Sequence, residues 1–202
     1  MSGGIDSTAV CSMLLEQGYR VEGLTFVTCD AGLRAAEEAA ALAARLGIPH
    51  HIADVRDEFR KLVIEPFIDA YLRGATPNPC VNCNPEIKFR TLEEWADKLG
   101  CKYIATGHYV QLKPIGEKVY ICTGDDDRKD QSYFLYMIHR QQLMKSIFPV
   151  FLAAIIILMI EATIQPPSPL TNHGEEKSSN TFQFAIAAKI TPSPPARSPS
   201  AR

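Results

Sequence analysis

The 202 residues suffice for one sizeable α/β domain with a small appendage. A formal net charge of -2 excludes a protein that holds nucleic acid by bulk positive charge, so any RNA contact must be local. Six cysteines (Cys11, Cys29, Cys80, Cys83, Cys101 and Cys122), with no secretory signal before them, point to thiols in a reducing cytoplasm rather than to a disulfide framework.

The chain opens on Ser2-Gly-Gly-Ile-Asp-Ser-Thr8, followed directly by an apolar helical pattern from Ala9 to Leu15 that stops at Gly18. Strands are expected at Val21 to Thr28 and Ile48 to Val55, and an Ala- and Glu-rich helix from Leu33 to Leu46 is ended by Gly47. Asp57 to Leu72 reads as a helix kinked by Pro66. A Pro-rich loop at Thr76 to Pro79 precedes an amphipathic helix from Ile87 to Leu99, which Gly100 terminates, and Lys102 to Thr106 is the next strand. Tyr109 to Leu112 and Lys118 to Cys122 form a hairpin about Gly116, and Gln131 to Lys145 is expected to be a closing helix. Strands alternating with helices predict an α/β fold, a parallel sheet flanked by helices.

Residues 1–146 therefore form the expected domain. An apolar segment at 147–160 is broken by Pro149 and too short to span a bilayer, so no membrane partner is expected. The tail at 161–202 is rich in Pro and Ser and is expected to be disordered. Met1 lies directly against the glycine loop, so the first strand of the sheet is expected to be missing from this chain.

Glycines that let the backbone approach a phosphate, helix-start amides and the hydroxyls of Ser2, Ser7 and Thr8 make the first loop an anion cradle. Its residue order matches the SGGxDS pyrophosphate loop of ATP pyrophosphatases and not the Gly-Lys-Ser/Thr loop. Asp6 orients the loop or helps hold Mg²⁺, since a carboxylate beside phosphates needs a cation. Thr76-Pro-Asn-Pro-Cys-Val-Asn-Cys-Asn-Pro-Glu-Ile-Lys-Phe89 carries a Cys-x-x-Cys pair on a proline-stiffened loop, with Lys88 and Arg90 near enough to favour thiolates. Alone, that pair reads as half a zinc site, a redox pair or part of an iron–sulfur site.

These two blocks, Ala105-Thr-Gly-His-Tyr109 and Asp125-Asp-Asp-Arg-Lys-Asp-Gln-Ser-Tyr-Phe-Leu-Tyr136 occur in an order and spacing that resembles the tRNA 2-thiouridylase family, over about residues 1–150. The resemblance implies an adenine nucleotide α-hydrolase-like fold that binds ATP and Mg²⁺ and exchanges O2 of the wobble uridine for sulfur. It assigns Ser2, Gly3, Gly4, Asp6, Ser7, Thr8 and Gly107 to ATP, and Cys83 as the catalytic cysteine of a disulfide-forming step. Asn78, Pro79, Cys80, His108, Lys129, Asp130 and Gln131 are assigned to tRNA, and a sulfur-carrier protein delivers the persulfide. Many members have Asp where this chain has Cys80, and the family's second cysteine lies in a later segment that this chain lacks. An iron–sulfur-dependent thiolase, with Cys80 and Cys83 as cluster ligands, a small-molecule adenylating enzyme and an inactive fragment remain as alternatives.

Overall fold

The structure is a computed structural model that describes residues 1, 4–124, 126 and 128–149, and the backbone strand at 185–189. Twelve residues, Ile5–Glu16, form α1, in which Ser7, Val10, Cys11 and Leu14 recur at helical spacing and are buried. Strand β1 (Arg20–Val27) pairs in parallel with β2 (His50–Asp54), and α2 (Gly32–Leu46) crosses between them, packing Ala36, Ala39 and Ala43 inward. Small side chains on that face let the helix lie close to the sheet.

The helix expected from Asp57 is continuous but not uniform. It runs as α3 (Arg56–Phe59), a π-helical turn at Arg60–Ile64, and α4 (Glu65–Leu72). Pro66 has no N–H and its ring crowds the Leu62 carbonyl, so the preceding turn widens where a kink was expected. The same happens one element later. The segment around the cysteines is helical rather than a loop: α5 (Pro79–Cys83) leads into a π-turn at Asn84–Phe89 containing Pro85, and then into α6 (Arg90–Leu99).

Strand β3 (Tyr103–Thr106) follows, then a separate antiparallel hairpin of β4 (Val110–Ile115) and β5 (Lys118–Thr123). The expected closing helix from Gln131 is not formed. Its residues make a 3₁₀ turn at Ser132–Phe134 and a short α7 (Arg140–Met144), because Asp130 ties up Ser132 and His139 and Gln142 form a capping box that starts a new helix. Strand β6 (Ser146–Ile147) pairs in parallel with β3.

The main sheet has the order β2-β1-β7-β3-β6, where β7 is Ala185–Lys189. β7 runs antiparallel to both neighbours, Gly23 facing Ile186 on one side and Ala105 facing it on the other. The sheet is thus mixed rather than wholly parallel, a common variation on α/β folds. Of the tail at 161–202, expected to be disordered, only the backbone of β7 is described; the rest lies outside the described residues, as does the apolar segment from residue 150 onward. Among the described residues no helix is long and apolar enough to cross a membrane.

Side chains alternate along the central strands, giving two cores. Val21 and Ala105 face α1 and α2 with Val10, Met13, Leu14, Ala39 and Ala43, while Leu24, Phe26 and Ile104 face α6 and the π-turns with Ile87, Phe89 and Leu92. Met1 belongs to the first core, its carbonyl accepting a hydrogen bond from the Thr25 hydroxyl. Cys11 and Cys101 are buried in the core and Cys122 is half-buried, whereas Cys29 is exposed, because it falls in the turn after β1.

Gly100 ends α6 at φ 65°, and its amide donates to Asp97. A β-carbon is strained in that region, so Gly100→Ala is expected to cost about 1–2 kcal/mol. A urea unfolding midpoint unchanged from the parent chain would contradict this.

Candidate active site

Gly4 is extended, with φ -82° and ψ 165°, and turns the chain into α1. The first bond of the helix runs from the Thr8 amide to the Gly4 carbonyl at 3.2 Å. The amides of Ile5 and Asp6 precede it and point along the axis, where a helix favours anions. The Ser7 and Thr8 hydroxyls were expected to face a phosphate. Instead they donate back to the Gly4 carbonyl at 3.0 and 2.9 Å, clamping the loop. Ser2 and Gly3 lie outside the described residues.

Asp6 accepts a hydrogen bond from the Tyr109 hydroxyl at 2.9 Å, joining residues 103 positions apart. Burial first, and then Asp6 itself, push the Tyr109 phenol up to about 12, so it stays a donor at neutral pH. Gly107 lies between them, and a β-carbon there would stand 3.4 Å from Asp6 Cβ. The backbone of β3's exit therefore touches the start of α1.

The Lys129 ammonium sits 5.3 Å over the Tyr109 ring. Tyr109 and Gln131 exchange two hydrogen bonds, the Tyr109 amide to Oε1 at 3.0 Å and the Gln131 amide to the Tyr109 carbonyl at 3.1 Å. Asp130 accepts from the Gly124 amide at 3.2 Å and from the Ser132 hydroxyl at 2.7 Å. Burial pushes the Asp130 carboxyl up, but these bonds outweigh it and hold the carboxyl below its usual range. Asp6, Tyr109, Arg128, Lys129, Asp130 and Gln131 line one open cleft of about 590 Å³, a volume suited to a nucleotide-sized ligand.

His108 was expected to touch tRNA; its ring is instead buried beneath the cleft, 1% exposed. It stacks on Phe89 at 6.0 Å, meets Phe134 edge-on at 5.8 Å, and bonds through Nδ1 to the Thr106 hydroxyl at 2.7 Å. Burial, and then the charge of Lys88, hold it well below 6.5, so it is a neutral spacer.

The cysteines differ in the same way. Cys80 is exposed, while Cys83 is 5% exposed and part of the core under the π-turn. The accessible, acidified thiol expected at Cys83 is not found: burial pushes it up, and Lys88 only partly offsets this. Lys88 itself is lowered by burial, which Cys83 and then Cys80 partly offset. Arg90 was expected to share that role, but it donates to the Glu86 carbonyl at 2.7 Å and to Glu94 at 3.2 Å. Asn78 caps α5, its Oδ1 accepting from the Cys80 amide at 3.1 Å, and stays exposed beside Pro79.

Among the described residues no group of three or more His, Cys, Asp or Glu is arranged to hold a metal ion. A cluster or a structural zinc needs about four ligands, and Cys80 and Cys83 supply two, so the described residues do not fit either. Lys88 and Tyr109 are the functional neighbours that sequence reasoning undervalued. Tyr109 carried no local signal, since its partner is at the opposite end of the domain.

The pattern that defines the tRNA methyl transferase HUP domain matches residues 1–154. The chain belongs to that family. Within this HUP family it is 54% identical over 150 residues to the tRNA-specific 2-thiouridylase MnmA 3 of Bacteroides fragilis, covering 74% of this chain and 41% of that protein. It is 51% identical over 160 residues to MnmA 3 of Phocaeicola vulgatus, and 44% over 163 residues to the tRNA-specific 2-thiouridylase MnmA of Cytophaga hutchinsonii, covering 43% and 44% of them and 74% of this chain in each case. The chain spans about two-fifths of the length of the curated relatives it matches.

Proposed function

We propose that this chain is the nucleotide-binding, uridine-activating part of a tRNA 2-thiouridylase. The observation that carries the reading is the meeting of the α1 start, Asp6, Tyr109 and Lys129 on one cleft, to which the Cys80–Cys83 turn is tied by the Asn84 side chain donating to the carbonyl of Phe134, a lining residue, at 3.2 Å. ATP is the nucleotide: its phosphates meet the amides at the start of α1, and Lys129 and Arg128 offset their charge. Asp6 fits a Mg²⁺ ion shared with the phosphates, because a divalent ion of this kind takes one or two carboxylates and keeps phosphate oxygens as its other ligands. Bound there, Mg²⁺ would neutralise charge on the phosphates.

Uridine O2 then attacks the α-phosphate, pyrophosphate leaves, and the oxygen becomes a leaving group for sulfur supplied by a persulfide-bearing carrier protein. Exposed Asn78 and Cys80 and half-buried Pro79 are the side of the site open to the base, together with Lys129 and Gln131. The names of the relatives support this choice of substrate. The test is to incubate the chain with ATP, Mg²⁺, unmodified tRNA and a persulfide donor, and to analyse the nucleosides by mass spectrometry. Pyrophosphate release with 2-thiouridine is the expected result; methylated uridine, or pyrophosphate release without tRNA, would overturn the reading.

Asp6→Ala is expected to weaken ATP binding in the presence of Mg²⁺ by on the order of tenfold or more, the scale of a lost charge-assisted contact. Without Mg²⁺ the same change should weaken binding far less, since it also removes a repulsive carboxylate. Calorimetric titration with and without Mg²⁺ measures both, and equal losses under the two conditions would contradict a metal role for Asp6.

A further inference from the structure

We propose that Cys80 and Cys83 form an internal dithiol–disulfide couple, in which exposed Cys80 takes up the sulfane sulfur of a persulfide and buried Cys83 then expels it. The proposal rests on the thiolation reading above, but it concerns chemistry that needs neither ATP nor tRNA. Three observations carry it. The pair lies on one helical turn, α5, rather than on a loop, with Asn78 capping that turn and Pro79 opening it. In helical geometry residues three apart have Cα atoms about 5 Å apart, inside the roughly 4.4–6.8 Å range that a disulfide bridges.

The second observation is the asymmetry of exposure. Of the pair, Cys80 is exposed to a macromolecular donor, whereas Cys83 is buried at 5% exposure. That order suits an entry thiol and a resolving thiol. The third is Lys88. Lys88 lies on the π-turn at Asn84–Phe89 that follows the pair, and its positive charge partly offsets the burial that disfavours the Cys83 thiolate.

The steps balance as follows. The Cys80 thiolate bonds to the outer sulfur of R–S–S–H, the S–S bond of the donor breaks, and the donor leaves as a thiol that carries the displaced proton; no net oxidation occurs. The outer sulfur of Cys80–S–S⁻ either bonds to an activated acceptor carbon or remains terminal. Cys83 Sγ then bonds to Cys80 Sγ, and the bond to the outer sulfur breaks with its electron pair remaining on that sulfur. Two thiols are oxidised to one disulfide while the sulfane sulfur is reduced by two electrons. A dithiol reductant, small or protein-borne, returns the pair to thiols.

The test uses the full chain with glutathione persulfide as donor and no nucleotide or RNA. The parent chain should release hydrosulfide once per chain and acquire a Cys80–Cys83 disulfide, located by peptide mass spectrometry and reversed by dithiothreitol. Cys83→Ser should release none and accumulate a persulfide on Cys80, and Cys80→Ala should take up no sulfur at this turn. Lys88→Met should slow hydrosulfide release severalfold, because it removes the positive charge that favours the Cys83 thiolate, whereas Lys88→Arg should retain most of the rate. Melting curves of each variant establish that it is folded. A stable Cys80 persulfide in the parent chain, or faster alkylation of Cys83 than of Cys80 by iodoacetamide, would overturn the couple. If the couple forms but tRNA is not thiolated, the proposed function fails and this inference stands.

Discussion

Phe89→Ala is expected to lower the unfolding free energy by about 3–5 kcal/mol, the cost of removing a fully buried aromatic side chain whose cavity can only partly collapse. Phe89 has no exposed surface and closes the π-turn that carries Lys88. Its ring stacks on His108 at 6.0 Å and approaches Phe148 at 6.3 Å, within the core that holds Ile87, Leu92, Ile104 and Leu135. Because single domains are held by only about 5–15 kcal/mol, the variant should be marginal at room temperature. Phe89→Leu, which fills most of the space, should cost less than about 1.5 kcal/mol. Urea unfolding with an unchanged slope would report both, and a Phe89→Ala loss below about 1 kcal/mol would mean that the ring does not hold the two halves of the site together.

The second large effect is a loss of stability in acid that can be traced to His108. Its neighbours are the Thr106 hydroxyl, the Phe89, Phe134 and Phe148 rings, and the charge of Lys88; none stabilises an imidazolium. In the folded chain it is held well below 6.5, whereas unfolding returns it to that value. Above pH 6.5 both states carry neutral imidazole and the histidine contributes no pH dependence. Below it the unfolded chain binds a proton that the folded chain does not, so stability falls as pH falls, by up to about 1.4 kcal/mol per pH unit. His50, lowered to about 4 by burial, then by the Met1 amine and His51, adds a slope of the same sign. His108→Gln should therefore flatten the stability profile between pH 6.5 and 5 without abolishing it. An identical profile in parent and variant would mean that His108 protonates in place.

The second expectation concerns a residue whose placement differs from its sequence reading. A Gly-His-Tyr string after a strand indicates a turn at the end of the sheet, but not which of its side chains goes inward. Gly107 touches α1, His108 fills the floor, and Tyr109 reaches Asp6, because successive residues at a strand exit alternate between the two sides of the sheet. The Lys129-Asp130-Gln131 string behaves likewise: Lys129 lies over an aromatic ring on the cleft, while Asp130 spends its carboxylate on the loop itself.

What the sequence by itself determined is whatever a few neighbouring residues control. Gly47 and Gly100 end α2 and α6 in left-handed backbone, the hydrophobic spacing sets which faces of α1, α2 and α6 turn inward, and the order of glycine, serine and aspartate after Met1 marks an anion loop. Even Pro66 announced a disturbed helix, though not that the disturbance would be a π-turn. Only the tertiary structure decided that Cys80 is open and Cys83 buried, that Lys88 and not Arg90 attends the thiols, that Tyr109 meets Asp6, and that β7 enters the sheet antiparallel between β1 and β3. Local patterns select backbone conformation, because propensity and turn chemistry act over a few residues. Exposure, charge pairing and strand partners depend on which distant surfaces compete to be buried, and that competition is resolved only when the two cores close on the sheet.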